Sequence, residues 1–451
     1  MTARKLRLDH ALLPGGWKAD VTVSVDGSGI IDDVRIGGEP NDASRVRGIA
    51  VPGLANVHSH AHQRAMVGLA ERSGPGDDSF WTWREAMYGF ASRIGPDELH
   101  AIAAQLYVEM LKAGYTRVCE FHYLHNAPDG TPYADHAAMS RAIVEAAREA
   151  GIGLTLLPVL YMTGGFDGRP LSDRQRRFGL SVDAYLRLLE SLSALESPGM
   201  HVGIALHSLR AVPEAAMREV LTSPLARNRV IHIHIAEQIG EVQDCLGIRG
   251  ARPVQWLFEH ADVDARWCLV HATHLDDQEM RAIAKSGAVA GLCPTTEANL
   301  GDGLFPLANY LDAEGTLGVG SDSHISVSPV EELRWLEYGQ RLVARHRNIA
   351  ARQPGASVGE TLWTAALRGG RQAAGVREGS PRDVIVLDDA SPLLAARDEA
   401  RVLDTFLFAG NTPLVRDVMA GGEWVVRGFH HAGEDRIAAG YRAAVEALAA
   451  G

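Results

Sequence analysis

The chain has 451 residues, 46% apolar and 22% charged, which is the composition of a folded globular protein and excludes intrinsic disorder. Lys+Arg number 44 against 56 Asp+Glu, a formal charge of -12, which leaves no electrostatic footprint for nucleic acid or for an anionic membrane surface. A small molecule is the expected partner.

Cys119, Cys245, Cys268 and Cys293 form no C-x-x-C pair and are too few for a disulfide framework in so long a chain. No apolar stretch reaches the ~18–20 residues of a membrane-spanning helix, and the first ten residues lack the apolar core of a signal peptide. A cytoplasmic enzyme is therefore expected. The 19 histidines are the unusual count.

Residues 4–49 read as short β-runs broken by Gly, for example 21–25 and 29–34. From residue 51 the pattern changes, and eight short apolar runs alternate with amphipathic stretches. The runs are 49–57, 116–121, 153–159, 201–206, 230–235, 267–270, 288–292 and 315–320. Helical periodicity covers 96–113, 134–151, 182–195, 276–286 and, after the last run, 357–374. Strands alternating with helices imply βαβ units and a parallel sheet. Eight repeats predict an α/β fold, a (β/α)8 TIM-like barrel over 51–377, with a doubly wound open sheet as the competing architecture. β-like runs return at 383–387 and 423–426, before a helical tail at 437–448. The two chain ends, 1–50 and 378–451, are expected to pair into a small β-sandwich domain.

The strongest motif is Val57-His58-Ser59-His60, at the end of the first predicted barrel strand. Residues two apart on a strand share a face, so His58 and His60 can reach one ion. Active sites of this barrel lie at the C-terminal ends of its strands, and further ligand types sit at those ends. His232 and His234 end the fifth strand with Glu237 just beyond, His271 ends the sixth, and Asp322 ends the eighth. A lone buried His is most often a satisfied core residue; this set at four strand ends is not explained by packing. His234 is preferred over His232, because Glu237 then lies over the same mouth. Three imidazoles and one carboxylate leave an open position on a zinc-like ion.

Two arginines, Arg84 and Arg210, also arrive at the catalytic face, from the segment after the first strand and from the end of the fourth. Arginine forks match carboxylates, so two of them suggest a substrate with two carboxylates. The region 68–83 reads as a long Gly-rich aromatic loop, in which Phe80, Trp81 and Trp83 can simply pack on the barrel rim.

This pattern resembles the amidohydrolase superfamily, specifically its deaminase branch, over nearly the whole chain. The resemblance implies metal ligands His58, His60, His234 and Asp322, a proton shuttle at Glu237, and catalytic roles for His271 and Asp322. The chain has four lysines, Lys5, Lys18, Lys112 and Lys285, and none falls at a barrel strand end, so one divalent ion is expected rather than a lysine-bridged pair. Zinc is the expected ion, Fe2+ fits similar ligands, and Glu120 is the alternative bridge. Within that branch, His58-Ser-His-Ala-His-Gln63, Phe80-Trp-Thr-Trp-Arg84, Glu120-Phe-His-Tyr-Leu-His125, His207-Ser-Leu-Arg210 and Cys293-Pro-Thr-Thr-Glu-Ala-Asn-Leu-Gly301 resemble the formimidoylglutamate deiminases of histidine degradation. That resemblance implies substrate contacts from Gln63, Arg84, Tyr123, His207 and Arg210, with Ser323 a weaker candidate. It further implies hydrolysis of a linear amidine carrying two carboxylates, N-formimino-L-glutamate, and a homodimer. The alternative is a sibling deaminase acting on a ring, guanine or adenosine-like.

Overall fold

A computed structural model describes residues 3–37, 42–72, 80–376 and 382–450. Eight parallel strands follow one another in chain order: Leu54–Ser59, Tyr115–His122, Gly153–Leu160, Ile204–Ser208, Ile231–Ile235, Trp267–His271, Val289–Leu292 and Thr316–Val319. A bridge between Ser59 and Asp322 brings the eighth back to the first. At this seam His60 N–H donates to Asp322 O at 3.3 Å and Asp322 N–H donates to His58 O at 3.0 Å. Gly320 permits the approach, since a Cβ there would lie 2.7 Å from His58 N. The sheet is thus a barrel and not an open doubly wound layer. Its interior is filled by Val57, Cys268, Val270 and Val289.

Two of the apolar runs divide. Residues 49–57 belong to two strands, Ser44–Val51 in an outer sheet and Leu54–Ser59 in the barrel. Pro52 lies between them and has no N–H to give to a ladder. Residues 201–206 split at Gly203 into Met200–Val202 and Ile204–Ser208. A Cβ at Gly203 would lie 2.8 Å from Val230 Cγ2, so only Gly lets the strand pass its neighbour.

The outer sheet has eight strands, drawn from both chain ends. Arg4–Leu13, Gly16–Val25, Ile31–Ile36 and Ser44–Val51 come from one end, and Val384–Leu387, Val415–Ala420, Glu423–Arg427 and His430–His431 from the other. The ends join where Val51 pairs antiparallel with Ile385. Leu6, Leu8, Val21, Val23, Val46 and Met419 form its own apolar cluster. The expected boundary at 377/378 lies outside the described residues.

Helix ends follow local chemistry. Pro96–Ala113 starts on a proline and stops at Gly114, whose φ of 111° suits a residue without a Cβ. Asp276 caps Asp277–Ser286 by accepting the N–H groups of Gln278 and Glu279. The last four residues of the region expected as a rim loop, 80–83, begin a helix, Phe80–Ala91. Its i, i+4 spacing sets Trp83 with Met87 and Arg84 with Tyr88, and all four side chains line the barrel mouth. The side chains of Phe80 and Trp81 lie outside the described residues. Among the described residues no helix is long and apolar enough to cross a membrane.

Candidate active site

The strand ends gather the candidate ligands within a few ångströms. His58 Nε2 lies 3.1 Å from His60 Nε2 and 2.9 Å from His234 Nε2. Asp322 Oδ1 is 3.4 Å from His58 Nε2 and 3.3 Å from His60 Nε2. Four ligands at the ~2.0–2.1 Å of a tetrahedral zinc site would be spaced by about 3.3 Å. The outer nitrogens set the tautomers: His60 Nδ1 donates to Phe121 O and His234 Nδ1 to His207 O, each at 2.8 Å. Both Nε2 atoms therefore present lone pairs to the same point. Burial drives the pKa of His58, His60 and His234 down, which keeps the rings in the neutral form that ligates. Lone pairs and a carboxylate converging at such spacing fit a divalent cation. His232 is turned elsewhere and donates Nε2–H to Ala373 O at 2.9 Å.

Glu237 and His271 stand beside this cluster. His271 Nε2 is 3.9 Å from Glu237 Oε1 and 3.9 Å from Asp322 Oδ2, and its Nδ1 is 3.3 Å from Glu297 Oε1. Burial opposes charge on His271, but Glu237, Glu297 and Asp322 outweigh it and push the imidazole up to about 10. Glu237 is 5% exposed. Burial pushes its carboxyl above the usual range, with His271 and Arg210 pulling it part of the way back. The backbone is strained here, for Ala236, His271, Asp322 and His324 have φ of 51°, 66°, 43° and 64°. Non-glycine residues in this region cost about 1–3 kcal/mol each, a burden that clusters where function requires a set geometry.

Glu120 does not face the ligands. Its Oε2 accepts from Ser59 Oγ at 2.5 Å and Tyr107 OH at 3.1 Å, and its Oε1 from Ala61 N–H at 2.7 Å. Engaged by three donors, it braces the strand-one ligands from behind and is not placed to bridge two ions.

One cavity opens from the cluster and includes Gln63, Arg84, Tyr123, His207 and Arg210 in its lining. Gln63 Nε2 donates to Tyr123 OH at 2.9 Å. Arg84 and Arg210 line this one cavity with His207, whose pKa burial lowers, with both guanidinium groups adding to the effect. Ser323 lies apart from these five. Its hydroxyl meets Thr296 Oγ1 at 3.0 Å, and it does not line the cavity. The left-handed turn at Asp322 breaks the strand alternation and sends the next side chain sideways.

Other residues of the site were not singled out from the sequence. Glu297 lies inside the Cys293 to Gly301 motif and accepts Cys293 N–H at 2.8 Å while facing His271. Glu241, one helical turn after Glu237, accepts Glu237 N–H at 3.1 Å and balances the charge of Arg210. The i, i+4 spacing of the two glutamates was the available signal.

Comparison with known proteins places the chain in a family. The model of the amidohydrolase family matches residues 49–425. A formimidoylglutamate deiminase from Pseudomonas aeruginosa is 52% identical over 446 residues, 98% of each chain. A 5-methylthioadenosine/S-adenosylhomocysteine deaminase from Haloarcula marismortui is 26% identical, over 91% of this chain and 89% of that protein. A crystal structure of an amidohydrolase from Brucella melitensis superposes with a TM-score of 0.93 at 44% identity, covering 99% of this chain and 100% of that one. An adenosine deaminase from Xanthomonas campestris with bound zinc shares the fold at TM-score 0.80 and 20% identity, covering 100% of this chain and 99% of that one. With a barrel, a His/Asp cluster of metal-binding type and a family match over most of its length, the chain belongs to the amidohydrolase family.

Proposed function

We propose that this protein hydrolyses N-formimino-L-glutamate to N-formyl-L-glutamate and ammonia, a step of histidine degradation. The observation that carries the reading is one cavity lined both by His60, His234 and Asp322 of the histidine–carboxylate cluster and by two arginines. The 52% identity to the Pseudomonas aeruginosa deiminase supports it.

His58, His60, His234 and Asp322 would hold one divalent ion, zinc in our reading, which would supply Lewis acidity that brings the pKa of water toward ~7. Glu237 takes a proton from the attacking water and delivers it to the departing nitrogen. His271, held protonated, donates a hydrogen bond toward the formimino group as its carbon becomes tetrahedral, and Asp322 takes the second proton from the new hydroxyl and passes it to the same nitrogen, which then carries three hydrogens. The water oxygen bonds to the formimino carbon, the bond from that carbon to the terminal nitrogen breaks, and ammonia leaves. Arg84 and Arg210 hold the two carboxylates, with Gln63, Tyr123 and His207 completing the pocket. A guanine or adenosine-like ring offers these cations nothing of opposite charge, which disfavours the ring-deaminase alternative. We place the reaction in the cytoplasm, where the four free, buried cysteines stay reduced.

The test is ammonia release by metal-replete protein from formiminoglutamate, guanine and S-adenosylhomocysteine, with metal analysis expected to give about one equivalent per chain. Release from formiminoglutamate alone is the expected result; none from it overturns the assignment. Arg84→Met and Arg210→Met are each expected to raise KM about 10–100-fold, because a buried carboxylate loses its charged donor. Unchanged KM in both would remove the dicarboxylate argument.

A further inference from the structure

Two phenols of the cavity have no place in the mechanism above. Tyr161, 3% exposed, follows the third barrel strand, and Tyr88 lies on helix Phe80–Ala91. Both line the cavity together with Arg84 and Arg210. Behind them is Gln175, buried in the short turn Asp173–Phe178.

The orientation of the Gln175 amide follows from its neighbours. Its Oε1 lies 3.0 Å from Ser172 N and 3.0 Å from Ser172 Oγ. A backbone N–H can only donate, so the oxygen must face Ser172 and the NH2 must face the phenols. That nitrogen donates to Tyr161 OH at 3.0 Å and to Tyr88 OH at 3.3 Å. Each phenol oxygen is thereby an acceptor toward Gln175, and neither phenol proton is used there. Both hydroxyls belong to side chains that line the cavity, so the Tyr161 O–H, not spent on Gln175, is free to turn toward a bound ligand. The Tyr161 ring stands edge-on to His207 at 4.3 Å, and the phenol lies within the electrostatic reach of Arg210.

We propose that Tyr161, aligned by Gln175 and backed by Tyr88, is a substrate-binding and specificity-determining residue whose phenol donates a hydrogen bond to one of the two substrate carboxylates beside Arg210. This rests on the dicarboxylate reading above. An arginine on a long stem adapts to carboxylates at several distances. A phenol pinned on two sides does not, and so it measures where the carboxylate must lie relative to the formimino carbon.

The experiment compares parent, Tyr161→Phe and Gln175→Met on formiminoglutamate and on two analogues, each lacking one carboxylate. Tyr161→Phe is expected to raise KM for formiminoglutamate about 10-fold or more, the cost of losing a hydrogen bond to a charged group, with kcat within threefold. On one analogue, the one lacking the carboxylate that Tyr161 holds, the variant should match the parent. Gln175→Met keeps both phenols but removes their alignment, and should raise KM at least threefold; it carries the test should Tyr161→Phe not fold. A KM within twofold of parent, or an equal loss on all three substrates, overturns the proposal. An inactive parent overturns the functional reading and this with it, whereas an active parent with an unaffected Tyr161→Phe overturns this alone.

Discussion

Glu237→Gln is expected to keep its metal and to lose kcat by about 10²–10⁴-fold, the usual range for a positioned general acid–base group. Metal retention follows from the geometry, since Glu237 is not among the four atoms that converge; it faces His271 across 3.9 Å. The amide keeps the volume and removes the ability to take a proton. In the parent, Glu237 must be ionised to accept the proton of water, so kcat/KM is present above its pKa and falls as pH drops through it. Burial raises that pKa, so the acid limb should lie above the ~4.3 of an ordinary glutamate. The measurements are metal content by elemental analysis and kcat/KM against pH for both proteins. Near-parent turnover, or loss of the metal, would remove Glu237 from the role of shuttle.

Chelation of the metal is expected to abolish turnover, and readdition of zinc to restore it. It should also lower the thermal midpoint. Without a cation, the Nε2 atoms of His58, His60 and His234 and the carboxylate of Asp322 face one another with no positive charge between them. A ligand that binds only the folded state stabilises it by about 2.7 kcal/mol at a free concentration 100-fold above Kd. Calorimetry of loaded and chelated protein measures the difference. Chelated protein that still turned over substrate would show that the cluster is not the catalytic centre.

The ligand set was legible because a barrel gathers its strand ends into one ring, so strand order alone brought residues 58 and 322 together. Periodicity also marked the helices, and Pro96–Ala113 has the predicted bounds. What escaped depended on local geometry that alternation does not encode. Ser323 was expected at the pocket because it adjoins Asp322, yet positive φ at Asp322 and His324 ends the strand period there. The helix Phe80–Ala91 was hidden by the glycines and proline just before it, which read as loop. Tyr161 and Gln175 share the connection after the third strand, whereas Tyr88 comes from the connection after the first, and the three meet only once those connections fold over the barrel mouth. Glu120 carried a ligand's chemistry in the sequence, but which way it faces depends on Ser59, Ala61 and Tyr107.

The seam between the first and eighth strands also bears on the order of assembly. It joins groups up to 265 positions apart, as in the hydrogen bond from Ser321 N–H to Asn56 Oδ1. Closing so long a loop is an entropically late event, and topologies rich in such contacts fold slowly. His58, His60 and Asp322, three of the four groups proposed to hold the ion, are tied across that joint, with His60 N–H donating to Asp322 O and Asp322 N–H to His58 O. A chain whose barrel is still open therefore offers only part of the coordination shell. On the proposed coordination, loading would follow completion of the hoop, and acquisition of the ion would report that the first and last strands of the barrel have met.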